Sequence, residues 1–276
     1  MRDSTLLRLQ QTQIDILCAI DDICRNHQIS YSLYAGTLLG AVRHQGFIPW
    51  DDDLDICMPR QDYERFIAVW RENPVDGYVI QNKDIAPKFS QSFTKIRKDH
   101  TCFLQAGEIP GQYHTGIFVD VFPVDRLPDG FFDRELFRFR VMLYQLFTRE
   151  FVPPKAGRLT QTGCGLLLKL VRGKHRRTAC LALKKKLMQW DNDASLQMVM
   201  IETTKSMKIL YPADLFEEMC ELRFENGQYM SYSQWDEALR AKYGDYMQLP
   251  PEEERVWKHH PIILDFEHNY EELEST

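Results

Sequence analysis

The sequence predicts an α+β protein, with a core over residues 1–128 and a mainly helical region over 129–276 packed on it. Three observations carry this. Apolar residues recur at helical spacing near the N-terminus. Four short β-like runs are interleaved with helical segments as far as residue 122. From about residue 129 the pattern turns helical and, further on, strongly basic.

Taken in order, Leu6, Leu9, Leu17, Ile20, Ile23 and Cys24 mark a helix over 4–27, with Ser4 as its N-cap. YSLYA (31–35) reads as a short strand ending at Gly36. TLLGAVRH reads as a helix that Gly46 stops. FIPW is a loop and DLDICM a strand. Pro59 then starts a helix whose apolar face is Tyr63, Phe66, Ile67 and Trp70. FTKIRK (93–98) and GIFVDVF (116–122) are two further strands, and FFDRELFRFRVMLYQLF is a helix. Residues 165–190 are apolar and basic, and the tail beyond 211 reads as mostly helical or irregular.

With 276 residues, the chain suits one large domain or a domain with an appendage. Its net charge of −6 argues against nucleic acid as a partner, because binding a phosphate backbone needs a basic face. The seven cysteines are scattered without a CxxC pair, and the eight histidines add no finger-like spacing, so free thiols in a reducing compartment are expected. The N-terminus lacks the apolar core of a signal peptide, and no apolar run approaches the ~20 residues of a membrane span. A cytoplasmic protein is expected, free or at the inner face of the membrane.

The stretch GFIPWDDDLDICMPR (46–60) carries Asp51, Asp52, Asp53 and Asp55 into the start of a strand. Alternation sends Leu54 and Ile56 to the core and leaves Asp53 and Asp55 ~6–7 Å apart on the open face. Carboxylates so placed repel and raise each other's pKa, whereas a divalent cation reverses the sign; Mg²⁺ is usually held by one or two carboxylates and substrate phosphates. A solvated acidic turn ahead of Pro59 is the plain alternative. It gives no reason for aspartates to alternate with large aliphatics, nor for Asp120 to stand between Val119 and Val121, since Asp is disfavoured in strands. Gly36 and Thr37 lie at a strand-to-helix junction, where free N–H groups receive phosphate oxygens.

This arrangement points to phosphoryl or nucleotidyl transfer through two metal ions held by three carboxylates. An EF-hand beginning at Asp51 fails, having Ile56 where Gly is required and Asp62 where Glu is required. A glycosyltransferase of the DxD type stays open. Lys95 and Arg97 share one strand face and suit a phosphate clamp, or are exposed charges on an edge. Arg43 and His44 end the helix before the acidic loop; His44 reads as a helix-end histidine, and His259 and His260 stay unassigned.

Three blocks carry a resemblance: YAGTLLGAVRHQGFIPWDDDLDICMPRQDYERF (34–66), GIFVDVFPVD (116–125) and YGDYMQLPPEEER (243–255). Together they resemble the LicD family, bacterial phosphocholine-transferase-like proteins related to the fukutin group within the nucleotidyltransferase superfamily. The resemblance implies a nucleotidyltransferase-like mixed sheet flanked by helices. It also implies Mg²⁺-dependent transfer (Mn²⁺ as substitute) of a phospho-alcohol, phosphocholine first, from a CDP-linked donor such as CDP-choline. The acceptor would be a hydroxyl of a glycan or lipid-linked glycan, as in lipopolysaccharide or teichoic acid modification.

Carried over, Asp53 and Asp55 are the metal-binding pair and Asp120 the third carboxylate, with Asp125 as its substitute. Gly36 and Thr37 occupy the small-residue turn, and Arg43, Lys95 and Arg97 join them on the substrate side. Asp51 and Asp52 support the loop, while Tyr243 and Asp245 line the acceptor site or close the fold. Two other classes remain: a nucleotidyltransferase acting from an NTP, which needs the same carboxylates, and a non-catalytic metal- or glycan-binding protein. The basic stretch 165–190 is expected either to meet an anionic membrane surface or to be a solvated helix face.

Overall fold

The computed structural model describes residues 4–108, 110–152, 157–189, 195–203 and 206–274. The chain groups into two compact units: residues 1–81, 93–123 and 214–276 form the first, and residues 82–92 and 124–213 the second. This differs from a division at 128, because the C-terminal residues return to the first unit.

In the first unit, α1 (Ser4–Asn26) buries Leu6, Leu9, Ile16, Leu17, Ile20 and Cys24 along one face, as its periodicity predicts. The strands β1 (Ser32–Leu33), β2 (Asp55–Pro59), β3 (Tyr78–Gln81), β4 (Thr94–Lys98) and β6 (Phe118–Leu127) lie in the order β1-β2-β6-β4-β3. Leu33 stands opposite Ile56 in the β1–β2 ladder, and Lys95 opposite Asp120 in the β4–β6 ladder. The helix α2 (Ala35–His44) links β1 to the acidic loop, and α3 (Arg60–Glu72) follows Pro59 and buries Tyr63, Phe66 and Trp70. The stop of α2 falls one residue earlier than expected. Gln45 takes the left-handed conformation (φ 56°), its N–H donating to Ala41 O while Gly46 N–H donates to Gly40 O.

The tail is the main correction. Where mostly helical or irregular chain is expected, β9 (Met219–Phe224) and β10 (Gly227–Tyr232) form an antiparallel hairpin with Phe224 opposite Gly227. The two-residue turn Glu225-Asn226 suits a hairpin because its positive φ (53° at Glu225) matches the strand twist. After it come α7 (Trp235–Tyr243), β11 (Ile263–Asp265), which pairs with β5 (Cys102–Leu104), and α8 (Tyr270–Glu274). The hairpin also braces the acidic loop: Glu225 Oε1 accepts from Phe47 N–H at 2.9 Å, and Phe224 packs on Phe47.

In the second unit, residues 124–127 of β6 pair with β7 (Gln197–Met200), and β7 with β8 (Leu210–Pro212). The helices are α4 (Phe131–Arg149), α5 (Arg158–Leu170) and α6 (Gly173–Met188), so the basic stretch is two helices parted at 171–172. Its core joins Phe137, Val141, Tyr144 and Phe147 to Cys180, Leu187 and Val199. All seven cysteines are free. No helix among the described residues is long and apolar enough to cross a membrane.

Candidate active site

The acidic loop is held from behind by buried amides. Gln10 and Gln13, on the core face of α1, donate to the backbone carbonyls of Asp51 (2.8 Å) and Asp52 (3.0 Å). Leu54 and Ile56 are fully buried while Asp53 and Asp55 are half-buried, so the predicted alternation holds although regular β2 begins only at Asp55. Tyr34 N–H donates to Asp55 O at 2.9 Å, and Asp55 N–H donates to Thr37 Oγ1 at 2.8 Å. These two bonds fix the start of α2 against β2. Gly36 makes the approach possible, since a Cβ there would lie 2.6 Å from Asp51 Oδ2. The first-turn N–H groups of α2 have no acceptor within the helix, as at any helix start.

The carboxylates crowd one another. Burial, then Asp53, pushes the Asp51 carboxyl up to about 8. Burial likewise holds Asp55 well above the usual range, with Asp53 and Asp120 adding to it. Asp120 is raised by burial against the pull of Lys95. Among the described residues, the ligand atoms of Asp52, Asp53 and His259 lie within 4.8 Å of one another. That set shares Asp53 with the predicted triad but replaces Asp55 and Asp120. An oxygen-rich cluster of crowded carboxyls fits a hard divalent cation such as Mg²⁺ or Mn²⁺, which Asp53 would hold together with Asp55 and Asp120 or with Asp52 and His259.

Cations reach the cluster from three directions. Lys95 Nζ donates to Asp120 Oδ1 at 2.6 Å and sits 3.2 Å from the centre of the Phe118 ring. Burial pushes this ammonium down, and the ion pair opposes that shift. Arg97 is fully buried beneath Phe118, donating to Gly116 O at 2.7 Å and lying 3.4 Å from Glu108 Oε1. Its Nε has no acceptor. Two further groups carry no sequence signal: Lys242 Nζ donates to Tyr34 OH at 2.6 Å and lowers the shifted carboxyl of Asp55. Residues 258–259 lie on Asp52, whose carboxylate accepts both backbone N–H groups (3.3 and 2.8 Å) and faces His259 Nδ1 at 3.4 Å. The bond to Asp52 raises the pKa of His259.

Several predicted residues lie elsewhere. Arg43 donates to the carbonyls of Tyr246 (2.8 Å) and Gln248 (3.4 Å) and through Nε to His44, so it ties down the third sequence block. Arg255 of that block lies over the Trp50 ring at 5.6 Å. The block therefore braces α2 and the acidic loop. Tyr243 is exposed, as are Asp245 and His260. Asp125 belongs to the second unit, opposite Val199 in its ladder. Asp120 is the carboxylate beside Asp53 and Asp55.

A family model described as "LicD/FKTN/FKRP, nucleotidyltransferase domain" matches residues 28–156, which contain the first two sequence blocks. The chain is 29% identical over 265 residues to the lipopolysaccharide cholinephosphotransferase LicD of Haemophilus influenzae, covering 94% of this chain and 97% of that one. An uncharacterized protein of Rickettsia prowazekii is 31% identical over 117 residues, 42% of this chain and 40% of its own. One from Rickettsia typhi is 42% identical over 64 residues, 23% and 21% of the two chains. Residues 28–156 therefore carry a domain that matches the LicD/FKTN/FKRP nucleotidyltransferase family.

Proposed function

We propose that the chain is a divalent-cation-dependent phosphotransferase that moves phosphocholine from CDP-choline to a hydroxyl of a cell-surface glycan or its lipid-linked precursor. Similarity to a cholinephosphotransferase over nearly the whole of both chains supports the transferred group. The observation that carries the chemistry is the crowding of Asp51, Asp53, Asp55 and Asp120 at the loop and strand ends, where burial and neighbouring carboxylates push Asp51, Asp55 and Asp120 toward their neutral forms. We place the reaction in the cytoplasm, with the acceptor at the inner face of the membrane.

A bound Mg²⁺ or Mn²⁺ would neutralise diphosphate charge and make the acceptor hydroxyl more acidic. Lys95, aimed by Asp120 and the Phe118 ring, offsets donor charge. The first-turn N–H groups of Gly36 and Thr37 donate hydrogen bonds to phosphate oxygens. The ionised form of Asp120, which the Lys95 ammonium favours, takes the proton of the acceptor hydroxyl, whose oxygen attacks the phosphorus of the phosphocholine and expels CMP. Positioning and electrostatics carry most of the catalysis in such transfers.

The test is thermal stability with Mg²⁺ against CDP-choline, CDP-ethanolamine, CDP-ribitol, CDP-glycerol, UDP-sugars, ATP and CTP. A ligand at a hundred times its Kd adds about 2.7 kcal/mol. The expected result is cation-dependent stabilisation by CDP-choline that Asp53→Asn abolishes. A response to NTPs alone indicates nucleotidyl transfer, one to UDP-sugars alone glycosyl transfer, and none at all a binding protein.

A further inference from the structure

The second unit carries charge and exposed apolar surface that the transfer chemistry does not use. Residues 157–189 hold nine Lys or Arg and no Asp or Glu, in a chain whose net charge is −6. Within them, α5 has no buried residue. Its inner side is Cys164, Leu167 and Leu168, packed against the unit's core. Leu159, Leu166 and Leu170 recur at spacings of seven and four, which puts them on one line of the opposite side. They are exposed at 91%, 58% and 73%, and Gly163 leaves that line smooth.

The same duality recurs on α4. Phe137, Val141 and Tyr144 enter the core, while Phe132 (84% exposed), Phe139 and Met142 point out. Lys169 flanks the leucine line of α5, and Lys185 and Lys186 are exposed on α6. A solvated face explains the cations but not outward leucines and phenylalanines. An amphipathic helix edged by Lys and Arg is the pattern of segments that lie in a membrane interface.

We infer that this face seats the second unit on an anionic bilayer. The α5 leucines enter the boundary between headgroups and acyl chains, and the cations meet lipid phosphates. The partner is a lipid surface because every charge between 157 and 189 has one sign, which complements anionic headgroups and opposes a second copy of the same face.

The experiment is flotation of the full chain with vesicles of phosphatidylcholine alone or with phosphatidylglycerol. Binding to the anionic vesicles is expected, at least about 10-fold tighter than to neutral ones and weakened by salt. Leu159→Ser/Leu166→Ser/Leu170→Ser should lower that affinity about 10-fold or more without lowering the melting temperature, because these side chains are already exposed. Lys169→Glu/Lys185→Glu/Lys186→Glu should abolish the preference for anionic lipid; Lys184 stays intact because it pairs with Asp84.

Failure of the wild type to float with anionic vesicles overturns the inference. So does unchanged binding by the serine variant, or a concentration-dependent dimer that the serine variant breaks. Vesicle binding needs no nucleotide, so its failure leaves the transferase reading standing, and the failure of donor binding leaves this one.

Discussion

Lys95 is the group whose removal tests the electrostatics of the site most directly. It is 5% exposed, 2.6 Å from Asp120 Oδ1 and 3.2 Å from the Phe118 ring centre. Lys95→Met removes the charge but keeps most of the volume. It leaves Asp120 in low dielectric beside the carboxyls of Asp53 and Asp55. Breaking a buried pair by removing one partner costs about 3–5 kcal/mol. Asp120→Asn should cost less, about 1–3 kcal/mol, because it orphans Lys95 yet also relieves carboxylate crowding. In the double variant neither charge remains, so the losses should not add, and the coupling should reach about 2–4 kcal/mol. Urea unfolding of the four proteins without divalent cation measures the cycle. Coupling below about 0.5 kcal/mol would show that the two groups do not sense each other and would refute this account of the pair. Adding Mg²⁺ should stabilise Lys95→Met more than the wild type, since the variant has lost a competing cation.

Three other perturbations report on separate parts of the structure. Gly36→Ala brings a methyl to 2.6 Å from Asp51 Oδ2; it should cost about 1–3 kcal/mol and weaken donor-induced stabilisation, and a wild-type donor titration would refute the close approach. Arg43→Met removes the donors that hold the carbonyls of Tyr246 and Gln248; it should cost about 1–2 kcal/mol and expose residues 243–255 to limited proteolysis, while donor binding persists. The His114 side chain holds the Asp99 carboxyl below its usual range, so the stability it contributes is present above the unfolded value of ~3.9 and lost as pH falls through the lower folded value. The melting difference between wild type and Asp99→Asn should therefore fade on acidification, and a difference that grew would contradict the assignment; the effect is small because the pair is near the surface, at most about 1 kcal/mol.

What the sequence shows of this molecule depends on how far apart the interacting residues are. The acidic loop, β2 and α2 are legible because a two-residue alternation, a Gly-Thr junction and a helical run lie within thirty residues of one another. Arg97 shows the limit of such reasoning. Alternation correctly puts it on the face of Lys95, but the period says nothing about what covers that face, and Phe118 with Gly116 buries it. The β9–β10 hairpin has only a displaced local signal: Asn226-Gly227 marks a turn, but the register puts Glu225-Asn226 at the tip with Gly227 opposite Phe224, and the charges of Glu221 and Arg223 interrupt the apolar pattern of β9.

Lys242 and His259 had no such signal, because their partners Tyr34 and Asp52 lie 208 and 207 residues away. The same separation explains the organisation of the site. A cluster of four aspartates within five positions cannot stabilise itself, and the local sequence supplies no cation to it. Its supports come from α1 through Gln10 and Gln13, from β4 through Lys95, from α7 through Lys242, and from the C-terminal segment through the N–H groups of Lys258 and His259. Each can act only when its own element is packed, so the geometry of the acidic loop depends on the whole frame around it. A preformed, over-supported cluster of this kind is what a site needs if its carboxylates are to hold position when a cation and a diphosphate arrive together.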